Sequence, residues 1–176
     1  MLIFLELLDA ILGRRSIRSY IHKKVDRFIL DELVEAGRWA PTASNAQPWI
    51  FIVIDNSELI MKFKSISPGI FSIPAFIIVV CSDSEITAHN GSQGKTLGLM
   101  DVSMAAQNIL LAAHAQGIGT CVVRSFHQKA AALLLDCPEG ILPELLIAGG
   151  YHDKKPFIPS RKELDEIRYF NRWKSK

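Results

Sequence analysis

Three arginines and two serines fall within the eight residues GRRSIRSY at 13–20, so Arg14, Arg15, Ser16, Arg18 and Ser19 crowd charged and neutral donors into one short segment. A guanidinium binds phosphate or carboxylate through two parallel N–H bonds, and hydroxyls add uncharged donors. The mixture suits a phosphate better than a diffuse negative surface. The same composition also serves a solvated turn with spare charge, and these eight residues do not separate the two.

A second polar stretch, APTASNAQPW at 40–49, carries no charge at all. Thr42 and Ser44 supply hydroxyls, Asn45 and Gln47 supply amides, and Pro41 and Pro48 stiffen the backbone. Such a loop offers neutral hydrogen bonds to a polar ligand, or makes an ordinary turn before a strand. Side-chain catalysis has little support, because GxSxG, HExxH, GxGxxG and Walker sequences are all missing. The histidines at 22, 89, 114, 127 and 152 are scattered, and His114, in an apolar stretch, reads as a core histidine. Cys121 falls in a strand-like apolar run and reads as an inert small hydrophobe. Any enzyme built on this chain would draw its reactivity from a bound cofactor, with no catalytic side chain.

Composition bounds the rest. A chain of 176 residues with 49% hydrophobic content predicts one compact domain, and a net charge of +2 is too mild to make nucleic acid the default partner. The three cysteines at 81, 121 and 137 form no CxxC and lie near no histidine pair, so no metal site or disulfide framework is expected, and a reducing cytoplasm fits. The N-terminal run MLIFLELLDAILGRR contains Glu6 and Asp9 with no basic residue ahead of it, which predicts an amphipathic helix ending at Gly13 rather than a signal peptide. No uninterrupted apolar run reaches bilayer length, so a soluble protein without a membrane partner is expected.

Around these segments, helices are predicted over 2–12, 31–39, 57–64, 95–116 and 128–135, and strands over 49–55, 75–81, 121–124 and 144–151. The stripe Leu33, Val34, Ala36 and Trp39 is expected to face inward, WIFIVID to be buried on nearly both faces, and 82–95 to be a mobile polar excursion. Gly149 and Gly150 are expected where backbone must come close to something. The apolar, alanine-rich helix at 95–116 would be central, and the charged, aromatic tail 154–176 would wrap a partner subunit. Four strands interleaved with helices predict an α+β or α/β sandwich.

Taken together, RRSIR at 14–18, APTASNAQPW, Asp101 with AQN at 106–108, GIGT at 117–120, GGY at 149–151 and PSRK at 159–162 resemble the successive motifs of the FMN-dependent nitroreductase family, in order and over most of the chain. The resemblance implies an α+β fold with a central, mostly antiparallel sheet of four to five strands flanked by helices. It implies a homodimer with FMN at the interface, reduced by NADH or NADPH and reoxidised by an electron-poor acceptor. The whole chain would then be a single FMN-binding domain. Arg14 and Ser16 would hold the FMN phosphate, Arg15 would lie along phosphate and ribityl, and Arg18 would approach the pyrimidine edge of the ring. Pro41, Thr42, Ala43, Ser44, Asn45 and Gln47 match the loop that the partner contributes; Val122, Val123, Arg124 and Ser125 match the stretch passing the ring near N5; and Arg161 matches a basic residue closing on the phosphate, with Lys162 or Lys155 assisting.

Three departures stand out, the first being the middle region 57–95, which is short beside the larger relatives and has no clear counterpart of their polar residues that hydrogen-bond the flavin ring. Ala43 replaces a hydroxyl residue, and Arg124 stands where relatives carry glycine or an acid, which would narrow the pocket or favour an anionic substrate. A blocked ring would leave the alternative of a flavin-binding, storage or sensing protein without turnover.

Overall fold

β2 (Phe76–Asp83) explains the architecture, because Phe76 through Val80 and Cys81 are wholly buried and alternate between two cores. Phe76, Ile78 and Val80 pack with Leu30, Leu33, Val102, Ala105 and Ile109, whereas Ile77, Val79 and Cys81 pack with Ile60, Phe63 and Ala131. A strand with no polar face must be covered on both sides, and helices do so here. The computed structural model describes residues 7–89, 91–153 and 156–173.

In chain order the elements are α1 (Leu7–Gly13), α2 (Arg27–Arg38), a 3-10 turn (Ala43–Asn45), β1 (Trp49–Ile54), α3 (Ser57–Ser65), β2, α4 (Ser84–Ala88), a second 3-10 turn (Gly91–Gln93), α5 (Gly94–Ala115), β3 (Gly119–Val123), α6 (Gln128–Leu134), β4 (Ile141–Gly150) and α7 (Leu164–Ile167). The sheet runs β1-β2-β4-β3 and every pairing is antiparallel. This is the expected α+β class, with four strands. β1 and β3 are therefore opposite edges, a fact that decides how the site is assembled.

Several expectations change. α2 starts earlier than predicted, at Arg27, because the Asp26 carboxylate caps it by accepting from the Phe28 amide at 2.8 Å. The helix buries Leu30, Leu33 and Gly37, and Trp39 stands outside with its indole N–H donating to Glu35 at 2.7 Å. β1 is an edge strand with an exposed Val53 and not a doubly buried one. Residues 82–95 hold a helix, α4, capped by Asp83 and pressed so closely against α5 that a Cβ at Gly94 would collide with the Thr87 carbonyl oxygen. β4 begins at Ile141 because the ladder slips: Val80 faces Leu145 and Cys81 faces Pro143, leaving Glu144 as the extra residue of a bulge. A bulge is where a strand tolerates proline, which has no N–H to donate. The tight approach expected at Gly149 is made by the Phe76 ring, which occupies the space a Cβ would need.

α5 is apolar enough and long enough to cross a bilayer, yet Val102, Ala105, Ile109 and Ala113 are wholly enclosed by the sandwich, so it is a core helix. Leu99, Met100 and Met104 on its other side are uncovered, as are Leu7, Leu8, Ile11 and Leu12 of α1. The apolar face of the amphipathic helix expected at the N-terminus, with Leu8 and Leu12 on it, is thus not buried within this chain; its residues 2–6 lie outside the described residues.

Candidate functional site

The arginine segment is fixed chiefly by its backbone. The Arg14 amide closes α1 on the Ala10 carbonyl at 3.0 Å, and the Ile17 amide donates to the Thr120 carbonyl at 2.9 Å, with Ser16 bridged in parallel to Thr120. The stretch is thereby laid along the outer edge of β3. Tyr20 pins its far end, its one hydroxyl proton shared between the Ile17 carbonyl at 2.7 Å and the Ala148 carbonyl at 2.9 Å, and burial pushes that phenol well above its ordinary pKa. Ser72 Oγ donates to the Arg18 carbonyl at 2.9 Å.

Arg14, Arg15, Ser16, Arg18 and Ser19 then line a cavity of about 610 Å³ with Pro156, Phe157, Pro159 and Arg161. Arg161 is remote in sequence and is brought to the others by the tail. Arg15 turns back, its Nη1 donating to the carbonyls of Leu12 at 2.6 Å and Arg14 at 2.8 Å, while its Nε is buried without a hydrogen-bond partner among the described residues. Four guanidinium groups and two hydroxyls around one hollow, one of them with an orphaned buried N–H, fit a phosphate-bearing cofactor. Beside this hollow, Gly13, His114, Thr120, His152 and Pro156 enclose a smaller one of about 210 Å³. Burial, then Arg14, Arg15 and His152, hold the His114 pKa below its ordinary value.

The neutral loop lies elsewhere. Ser44, Asn45 and Gln47 adopt left-handed φ of 54°, 53° and 52°, uncommon outside glycine and most tolerable for asparagine. Three bonds involving side chains hold the turn, the Gln47 amide to Thr42 Oγ1 at 3.1 Å, Gln47 Nε2 to the Asn45 carbonyl at 3.2 Å, and the Ala43 amide to Asp101 Oδ1 at 3.2 Å, beside two backbone bonds, Asn45 to Thr42 and Ala46 to Ala43. Asp101 is almost fully buried in α5, and burial raises its pKa although the Ala43 N–H works the other way. Pro41 through Gln47 lead into β1, the edge opposite β3. Three strand spacings of about 4.8 Å put the two edges roughly 14 Å apart. Within one chain the loop and the arginines therefore border opposite edges of the sheet.

Val122–Ser125 follow from β3. Val123 is sunk in the core, Val122 is half-buried, and Arg124 and Ser125 are exposed just past the strand end. The Ser67 hydroxyl donates to the Ser125 carbonyl at 3.1 Å, and Gly69 passes so close that a Cβ would meet Ser125 Oγ at 2.5 Å. Arg124 Nη2 lies 3.6 Å from Glu144 Oε2. Glu144 is a residue that sequence reasoning misses; its one signal is an acid placed next to a buried strand run, ELLIAGG. Lys162 is exposed near Arg161, and Lys155 lies outside the described residues. No cluster of potential metal ligands occurs among the described residues.

An antiparallel sheet cased in helices, with a cationic hollow along one edge, is an α+β protein with a place for a phosphate-bearing cofactor. The chain belongs to the nitroreductase family, whose model matches residues 11–71 and 61–151. A relative from Methanothermobacter thermautotrophicus, whose name pairs NADH dehydrogenase with NAD(P)H nitroreductase, is 31% identical over 173 residues covering 92% of this chain and 88% of its own. An FMN reductase [NAD(P)H] of Bacillus subtilis is 27% identical, covering 94% of this chain and 75% of its own. The crystal structure of a nitroreductase family protein from Clostridium difficile 630 superimposes with a TM-score of 0.86 at 26% identity, covering 96% of this chain and all of that one.

Proposed function

We propose that this chain is an NAD(P)H-dependent FMN oxidoreductase, a cytoplasmic homodimer in which each flavin is held by the arginine segment of one subunit and the neutral loop of the other. The observation that carries the reading is the convergence of Arg14, Arg18 and the distant Arg161 on one hollow. FMN held there would supply two-electron redox chemistry between NADH or NADPH and a nitroaromatic, quinone or similar acceptor, in ping-pong order. Arg14, Ser16 and Arg161 compensate the phosphate. Arg18, which lines the same hollow, would set a fixed cation near the ring and stabilise negative charge there. Val122, Val123 and Ser125 offer backbone to the ring edge, since the Val123 side chain is committed to the core. The opposed edges of the sheet favour a site shared between two chains. The tail 154–176 is proposed as an arm on the partner, because Phe157, Ile158, Leu164, Ile167, Phe170 and Trp173 all stay exposed on this chain. The whole chain acts as one FMN-binding domain.

Anaerobic mixing of the FMN-loaded protein with NADH or NADPH tests the reading. Rapid bleaching of the flavin absorption is expected; a flavin that stays oxidised would instead support a binding, storage or sensing protein, the reading favoured if Arg124 closes the ring off.

A further inference from the structure

The Arg124 side chain is half-exposed, yet it is tethered from below by a carboxylate that is almost fully buried. Glu144 occupies the β4 bulge, where Ser82 Oγ donates to its Oε1 at 3.2 Å and Gln128 Nε2 approaches its Oε2 at 3.5 Å. Those neutral donors share the load of the buried charge. The Arg124 contact, at 3.6 Å, is longer than a hydrogen bond, so it orients the guanidinium without consuming its paired N–H groups. The Phe126 ring, 5.6 Å from Arg124 Cζ, supports the group from another side. The result is a positioned guanidinium with an open fork at the end of β3. That end lies four residues, or about 13 Å of strand, beyond Thr120, where the phosphate-side arginines are anchored.

We propose that Arg124 is a specificity-determining residue that makes the acceptor site select anionic aromatic ligands, carboxylates above all, with Glu144 as its positioning residue. The inference rests on the FMN oxidoreductase reading. A planar carboxylate matches the fork bidentately, which a neutral amide of the same shape does not.

The test uses the oxidised, FMN-loaded protein and two ligands that differ in charge but scarcely in shape, benzoate and benzamide. Their dissociation constants are read from perturbation of the flavin absorption bands, without turnover. Benzoate is expected to bind about tenfold or more tightly than benzamide, the scale of a charge-assisted hydrogen bond. Arg124→Lys should keep part of this preference. The double variant Arg124→Gln/Glu144→Gln, which leaves no buried charge unpaired, should lose it. Equal binding of the two ligands, a preference that survives in the double variant, or flavin bands that benzoate does not move at any concentration would each overturn the inference while the FMN reading stands. A protein that takes up no FMN would overturn both.

Discussion

Ile17 and Thr120 are joined by an amide-to-carbonyl hydrogen bond of 2.9 Å, and this bond sews the arginine segment to the outer edge of β3. Everything the segment can bind is therefore bound at that edge. The loop with the neutral donors precedes β1, across the full width of the sheet. The proposed site places the ligand between two chains, and the uncovered apolar residues of α1, α5 and the tail offer surface for such a pairing.

Arg14→Ala and Arg161→Ala should each weaken FMN retention by about tenfold to a hundredfold, the worth of one charge-assisted bond to phosphate. Equilibrium dialysis with fluorescence of the free flavin measures this. Unchanged affinity in both variants contradicts the phosphate assignment.

Asp101→Leu should free the strained loop by leaving the Ala43 N–H without its acceptor, costing about 1 kcal/mol of stability and loosening FMN. Asp101→Asn should retain flavin, because its Oδ1 still accepts and burial already disfavours the charged form. The raised folded pKa means the carboxyl favours folding at pH below its ordinary 3.8 and loses that contribution as pH rises. Melting temperature and FMN affinity, measured together on both variants, check the pair.

Gly149→Ala should destabilise the protein by about 1–3 kcal/mol, because the new methyl would drive into the Phe76 ring at the sheet centre. Urea unfolding gives the number. A stability equal to that of the parent protein would mean that the sheet yields at this point.

Without flavin, His114 should make stability rise with pH up to about 6.5. Its folded pKa is depressed by burial and by Arg14, Arg15 and His152, so the unfolded chain binds the proton more readily within that window. His114→Asn should flatten this part of the curve in denaturant titrations between about pH 5 and 7. Curves of identical slope would deny the effect.

Much of the fold is legible in the sequence because β2 and β4 are buried on both faces and so are written as unbroken apolar runs. The arginine segment is legible from residue type alone. What is not legible depends on partners. β1 reads like a central strand because WIFIVID carries no mark of its place in the sheet order, and Trp39 joins a helical stripe by spacing although the chain leaves it outside. α4 is hidden in polar sequence, since Gly94 and Gly98 make room for Thr87 only once α5 lies beside it. Glu144 has only its place beside an apolar run to mark it, because the bulge that buries it exists only through the slip of β4 against β2.

The central claim, one flavin site built from two chains, is tested most directly by mixing two crippled ones. One carries Arg14→Ala with Arg161→Ala, and the other carries Ser44→Val with Asn45→Val, β-branched residues that cannot hold the left-handed turn. Each variant alone should lose FMN. In a two-fold dimer purified through two different tags, one of the paired sites inherits both lesions and the other neither, so the mixed dimer should recover half the flavin content of the parent. A mixed dimer as empty as its components would contradict the account.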